Sequence, residues 1–250
     1  MRAAIIDIGS NSIKLVIGED VNGVIKILES LKNVIGMGRS AFYEGIISQD
    51  KFNKIIEVLN KYKKVISEYE VDDVKVIATT AVREAENRDI FLDTVERKTG
   101  LKIEVLNVGD VVYFIDAFLS YKLRKKYPIN EKNLLIVELG AGSLDISVME
   151  KGFALINLGI PLGTLRLKQF KSQIEGSQKE IYEALDEYVD KEIVNLKKII
   201  PDIKLDDIVL IDESYSNALH KIVPNKNREA SFFELQLEES NDLLEQVTRG

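Results

Sequence analysis

Residues Ile6-Asp7-Ile8-Gly9-Ser10-Asn11-Ser12-Ile13 read apolar, acid, apolar, Gly, small, polar, Ser, apolar, and Val137-Glu138-Leu139-Gly140-Ala141-Gly142-Ser143-Leu144 repeats the order 131 positions later, about half of the 250-residue chain. In each copy two apolar runs, Ala3–Ile8 with Ile13–Ile17 or Asn133–Val137 with Leu144–Met149, flank small turn residues, which is the pattern of a β-hairpin. A third strand follows, Val24–Leu28 or Ala154–Leu158, and then a glycine, Gly38 or Gly163, ahead of helical sequence. A repeat this long predicts two lobes of one topology rather than a short-period solenoid.

The rest of the chain alternates strand and helix, so the class is α/β. Phe52, Ile55, Ile56, Leu59, Tyr62, Val65 and Ile66 have helical spacing within Asp50–Glu70. Val74–Ala78 reads as a buried strand, Ala81–Arg83 as a turn, and Ile90–Lys98 as a helix closed by Gly100. Leu101–Leu106 reads as a strand and Val111–Lys125 as a helix. Pro128 and Asn130 then punctuate the chain, which puts the boundary near Lys125–Asn130 and gives lobes 1–125 and 126–250. Beyond lie a long helix, Gln178–Ile200, closed by Pro201, a short strand, Ile208–Ile211, and a terminal helix, Ser231–Gln246.

Composition narrows the class of function. Hydrophobic residues are 45% and charged residues 30%, the balance of a globular chain. No apolar run reaches about 18 residues, so no membrane span is expected. The N-terminus lacks a signal-peptide pattern, and with zero cysteines there is no disulfide framework and no thiolate metal site. The expected location is cytoplasmic. A net charge of −7 argues against nucleic acid, which needs a basic face. The single histidine, His220, has no nucleophile motif near it, which leaves acid–base chemistry to carboxylates. The basic run Lys122-Leu123-Arg124-Lys125-Lys126 reads as a helix end whose cations complement the dipole, or as a guide for a polyanion.

Tight Gly/Ser turns between strands aim several backbone N–H groups into one concavity, and such nests hold anions without formal charge. Ser10, Ser12 and Ser143 add hydroxyl donors. The acid near the end of each first strand, Asp7 or Glu138, repels phosphate directly. It makes sense as a ligand for Mg²⁺ bridging to phosphate oxygens. The plainer alternative is a pair of ordinary hairpin turns.

Four stretches carry a resemblance: IDIGSNSIKLVI (6–17), ATTAVREAENRDIFLDTVERKTGLKIEVL (78–106), ELGAGSLDI (138–146) and LGIPLGTLRL (158–167). Together they resemble the exopolyphosphatase/guanosine pentaphosphate phosphatase (PPX/GppA) family of the actin-like ATPase and sugar kinase superfamily, from about residue 3 to about residue 170. The resemblance implies two lobes of duplicated actin-like (ribonuclease H-like) topology with a cleft between them. It implies cleavage of terminal phosphoanhydride bonds in polyphosphate or guanosine pentaphosphate, with Mg²⁺ and an activated water. Asp7, Gly9, Ser10, Asn11 and Ser12 match the first phosphate loop, and Gly140, Gly142 and Ser143 match the second. Arg83 matches an arginine that faces the phosphates, where its planar fork suits their oxygens. A surface ion pair with a neighbouring acid is its plain alternative.

The departures bear on catalysis. The family's second loop usually reads DIGGGSTE, and four of its positions are Glu138, Ala141, Leu144 and Asp145 here. Ala141 adds a methyl that narrows the site or forbids a positive φ. The family's base, a glutamate after the strand that ends at Leu106, falls without a gap on Asp110, one methylene shorter, or, with the glycines shifted into register, on Val111, which has no carboxylate. Asp110 equally suits the N-cap of the following helix. The late turn Asp212-Glu213-Ser214-Tyr215 has no glycine and two acids. The chain ends at Gly250, short of the longer members, which leaves the site open or completed by a second subunit in a homodimer. Two readings follow: a weak Mg²⁺-dependent phosphoanhydride hydrolase with Asp110 and Arg83 as catalytic residues, or a protein that binds polyphosphate or the alarmone without cleaving it.

Overall fold

The computed structural model describes residues 1–123 and 128–211. His220, the turn at 212–215, the helix over 231–246 and the basic run's residues 124–126 lie outside the described residues, and so do the side chains of 122 and 123. Met1–Leu210 forms one compact unit that contains both sheets below; of a second, Ile211–Gly250, Ile211 alone is described.

The first sheet is built on β1 (Arg2–Ile8), β2 (Ser12–Val21) and β3 (Val24–Val34), an antiparallel meander. β4 (Asp73–Ala78) and β5 (Ile103–Val105) add in parallel on the other side, giving the order β3-β2-β1-β4-β5. Parallel neighbours need a crossover. Helices α1 (Met37–Tyr43) and α2 (Gln49–Glu68) make the first one, and α3 (Thr80–Glu84) and α4 (Arg88–Thr99) the second. Alternation along the strands turns Ile6, Ile8, Leu15, Ile17 and Ala78 to one face, fully buried against Ile55 and Leu59 of α2 and Phe91 and Val95 of α4. Asp7 and Lys14 are therefore on the opposite face.

Helix α5 (Val108–Leu123) and a 3₁₀ turn (Ile129–Glu131) lead to the second sheet. The Tyr121 hydroxyl of α5 accepts the Ile25 N–H at 2.9 Å, which ties the helix to the first sheet. The second sheet has β6 (Asn133–Leu139), β7 (Leu144–Glu150), β8 (Phe153–Ile160) and β9 (Asp207–Ile211) in the order β8-β7-β6-β9. That order repeats β3-β2-β1-β4, and α6 (Thr164–Gln173) and α7 (Gln178–Lys197) fill the crossover between β8 and β9. The expected α/β class and duplicated topology are thus present, and we propose the division into lobes 1–125 and 126–250 on the repeated strand order. Neither α6 nor α7 buries a side chain fully. Helix α7 starts on a capping box, in which Ser177 and Glu180 each satisfy the other's backbone N–H.

Some elements differ from expectation. Ala81–Arg83 is not a turn but the middle of α3, a helix of only 5 residues and too short to show a period. Gly36, in the left-handed region at φ 65°, precedes α1, while Gly38 sits inside it. The strand expected over Leu101–Leu106 narrows to β5. Among the described residues no helix is long and apolar enough to cross a membrane.

Candidate functional site

Both hairpin turns close the same way. Gly9 N–H donates to Ser12 O at 3.0 Å, and Gly140 N–H donates to Ser143 O at 2.9 Å. The loop carbonyls are then taken up by the crossover that follows. Ser10 O accepts from Gly38 N–H at 2.6 Å, and Asn11 O accepts from Ile35 and Gly36 N–H, both at 2.9 Å. In the second loop Gly140 O accepts from Thr164 N–H at 3.0 Å and Ala141 O from Leu165 N–H at 2.9 Å. Gly142 O accepts from Arg166 Nε at 2.6 Å. In a trans peptide the C=O and the next N–H point opposite ways. With these carbonyls drawn toward the crossover, the amides of Asn11 and Ser12, and of Ala141, Gly142 and Ser143, face away from it. That is the arrangement of an anion nest.

Positive φ is not what the loop glycines provide. Gly9, Gly140 and Gly142 all lie outside the left-handed region, and so does Ala141, whose methyl therefore brings no backbone strain. Close approach is what requires glycine. A Cβ on Gly142 falls 2.7 Å from Phe42 Cζ and 2.8 Å from Ser10 Oγ, and one on Gly163 falls 2.3 Å from Ala141 O.

Strand register then sets the acids. Asp7 pairs with Lys14 across β1–β2, and Glu138 with Asp145 across β6–β7. Directly opposed residues share a face. Burial pushes the Asp7 carboxyl up, with Lys14 pulling it partly back. Glu138 is pushed up to about 7, first by burial, then by the charges of Asp145 and Asp7, against Lys14. Asp145 is raised by burial, against the Ser143 hydroxyl, which donates to its Oδ2 at 3.0 Å, and against the Arg83 charge. Asp7 and Glu138 thus sense each other across the two sheets. Among the described residues no group of three or more acids or histidines is arranged to hold a metal ion. Two carboxylates suffice for Mg²⁺ when phosphates supply further oxygens, and Asp7 Oδ1 is buried without a hydrogen-bond partner. The pair fits such an ion.

Among the described residues Arg83 makes no ion pair. Its Nη1 donates to Leu106 O at 2.7 Å and its Nη2 to Thr80 Oγ1 at 3.3 Å, and its charge bears on Asp145. Asp110 accepts the Asn107 N–H on Oδ2 at 2.9 Å, and its own N–H donates to Asn107 Oδ1 at 2.9 Å. This reciprocal box starts α5 three residues earlier than Val111. Asn107 is the cap and Asp110 its partner, with one carboxylate oxygen committed to the helix start.

The two loops touch. Thr80 and Ser143 hydroxyls lie 3.1 Å apart, and Ser10, Ser12 and Ser143 are all buried. Arg166 pairs with Glu84 across the contact and lies over the Phe42 ring at 4.0 Å. A Cβ on Gly142 would stand 2.8 Å from Ser10 Oγ, so the loops meet at these two residues. The sequence reading missed Thr80, Phe42, Glu84 and Arg166. One signal was present: Arg166 is a cation in the first turn of α6, a turn with no acid, where the helix dipole disfavours positive charge.

The model of the Ppx/GppA phosphatase family matches residues 16–249. Exopolyphosphatase 1 of Mycobacterium tuberculosis is 28% identical over 168 residues, 67% of this chain and 48% of that protein. The guanosine-5'-triphosphate,3'-diphosphate pyrophosphatase of Vibrio parahaemolyticus is 22% identical over 200 residues, 75% of this chain and 39% of that one. The chain therefore matches about half or less of the length of these relatives. The crystal structure of the Aquifex aeolicus Ppx/GppA family member has a TM-score of 0.79 at 23% identity, over 100% of this chain and 79% of that one. An exopolyphosphatase from Cytophaga hutchinsonii has a TM-score of 0.81 at 20% identity, over 100% and 80%. At these identities the structures speak for the fold.

Proposed function

The chain belongs to the Ppx/GppA phosphatase family, and from that premise we propose that it is a phosphoanhydride hydrolase of slow turnover, acting on the terminal phosphate of polyphosphate or guanosine pentaphosphate. One observation carries the reading: in both loops successive carbonyls are bonded to the following crossover, which turns the amides outward as anion donors.

In this reading Gly9–Ser12 and Gly140, Gly142 and Ser143 bind the phosphate chain, and Arg83 orients the terminal phosphoryl group, held in place by Leu106 O and Thr80. Asp7 and Glu138 would hold Mg²⁺, which would neutralise phosphate charge when bound. A water oxygen bonds to the terminal phosphorus and its proton passes to Asp110. The bridging P–O bond breaks, and its electron pair leaves with the shortened chain. Such transfer depends on positioning and charge more than on covalent chemistry by the protein, so an incomplete set of groups still gives slow turnover.

The second reading is binding without cleavage, and the capping role of Asp110 favours it, since a base must reach its water within about 3 Å. Phosphate release from long polyphosphate and from guanosine pentaphosphate, measured with binding, separates the two. Release that stops in Asp110→Asn with binding kept supports the hydrolase. Binding without release by the parent chain supports the second reading, and no binding of either ligand removes both.

A further inference from the structure

We infer that Arg166 is a positioning residue that shapes the second anion loop only while the two loops are closed on each other. The inference rests on the anion-binding reading above. Of the three second-loop carbonyls bonded to the crossover, two are held by backbone N–H groups of Thr164 and Leu165, which stay with α6 whatever the rest of the molecule does. The third, Gly142 O, is held by the Arg166 side chain. That bond sets the plane of the Gly142–Ser143 peptide and so aims the Ser143 N–H.

The same guanidinium is fixed by the other loop's surroundings. It pairs with Glu84 of α3, the residue next to Arg83, and stacks on Phe42 of α1. Its side chain is only 20% exposed. One planar fork meets a carbonyl, a carboxylate and a ring face together, which a lysine ammonium cannot do. Helix stability does not account for a cation at this helix start. When the loops part, Glu84 and Phe42 leave with the first sheet, and the Gly142 carbonyl loses the group that fixes its direction. The Ser143 donor is therefore complete only in the closed state, and an anion that needs it favours closure.

The test uses the full chain, inorganic tripolyphosphate with Mg²⁺ in calorimetry, and hydrogen exchange of the second loop without ligand. Arg166→Ala and Arg166→Lys each weaken tripolyphosphate binding about tenfold or more, and Glu84→Gln about threefold. Since Glu84 acts through Arg166, the double variant Glu84→Gln/Arg166→Ala binds no more weakly than Arg166→Ala. Without ligand, the Ser143 amide exchanges faster in both Arg166 variants. Parent-like affinity in the Arg166 variants, or a full additional loss in the double variant, overturns the inference. If the parent chain binds no tripolyphosphate, the anion reading fails by itself. Loop exchange then decides: faster in Arg166→Lys supports positioning, unchanged overturns it.

Discussion

Glu138 faces Asp145 directly across the β6–β7 hairpin, where the first sheet sets Asp7 against Lys14. The duplicated scaffold thus carries a neutralised pair on one side and two like charges on the other. Like charges directly opposed in a sheet are destabilising, and here burial sharpens the conflict.

The first prediction concerns pH. The Glu138 carboxyl is held above its ordinary 4.5, up to about 7, so the folded protein binds this proton more tightly than the unfolded chain. Its contribution is fully present below the ordinary value and is lost as pH rises through about 7. Thermal melts without divalent cations therefore show falling stability from about pH 5 to about pH 8, with a ceiling of about 3 kcal/mol from this group. Glu138→Gln flattens that slope and melts higher than the parent at the alkaline end. A slope that survives the substitution assigns the effect elsewhere.

Arg83 bridges the end of β5 to α3 through Leu106 O and Thr80. Arg83→Ala is expected to lose about 1–2 kcal/mol in urea unfolding, from two side-chain hydrogen bonds, one of them long. Calorimetry is expected to show at least about tenfold weaker tripolyphosphate binding, and Arg83→Lys restores neither quantity, because one ammonium cannot reproduce the fork.

Glycine substitutions grade by what they meet. Gly163→Ala drives a methyl to 2.3 Å from the Ala141 carbonyl, which is backbone and cannot swing aside, so the variant is expected to unfold or lose more than about 3 kcal/mol. Gly142→Ala meets the ends of Phe42, Ser10 and Thr80 side chains, costs about 1–3 kcal/mol and spreads the loops. Gly9→Ala meets only Ser12 O, at 3.3 Å, and is the mildest. Denaturant midpoints that invert this order contradict the closed contact.

Asp110 has two separable duties. Asp110→Ala removes a capping partner of α5 and is expected to cost about 1 kcal/mol in unfolding. Asp110→Asn keeps an acceptor for the Asn107 N–H, so its stability stays near the parent's while phosphate release stops. Release that persists in Asp110→Asn assigns the base to another group.

The hairpins, the paired loops and the repeat were legible in the sequence because alternation and small turn residues are local signals. Ile6 and Ile8 announce a buried face, and Gly9–Ser12 a turn, with no knowledge of the partner sheet. Helix α3 was not legible, since Thr80–Glu84 is shorter than two turns. The crowding at Gly142 was not legible for a related reason: Phe42 and Ser10, which crowd it, are 100 or more positions away. Arg166 and Glu84 are separated by 82 positions, and nothing local pairs them.

Each loop is completed by chain that comes soon after it: Gly38 closes on Ser10 within 28 residues, and Thr164 on Gly140 within 24. Contacts of short separation form early, because little loop entropy is lost before they are made. Each half of the site is therefore a local folding product, finished inside its own sheet-and-crossover unit. Joining the halves is then expected to come last, as a docking of ready-made parts, so that a slow or faulty second half leaves the first half's loop already built.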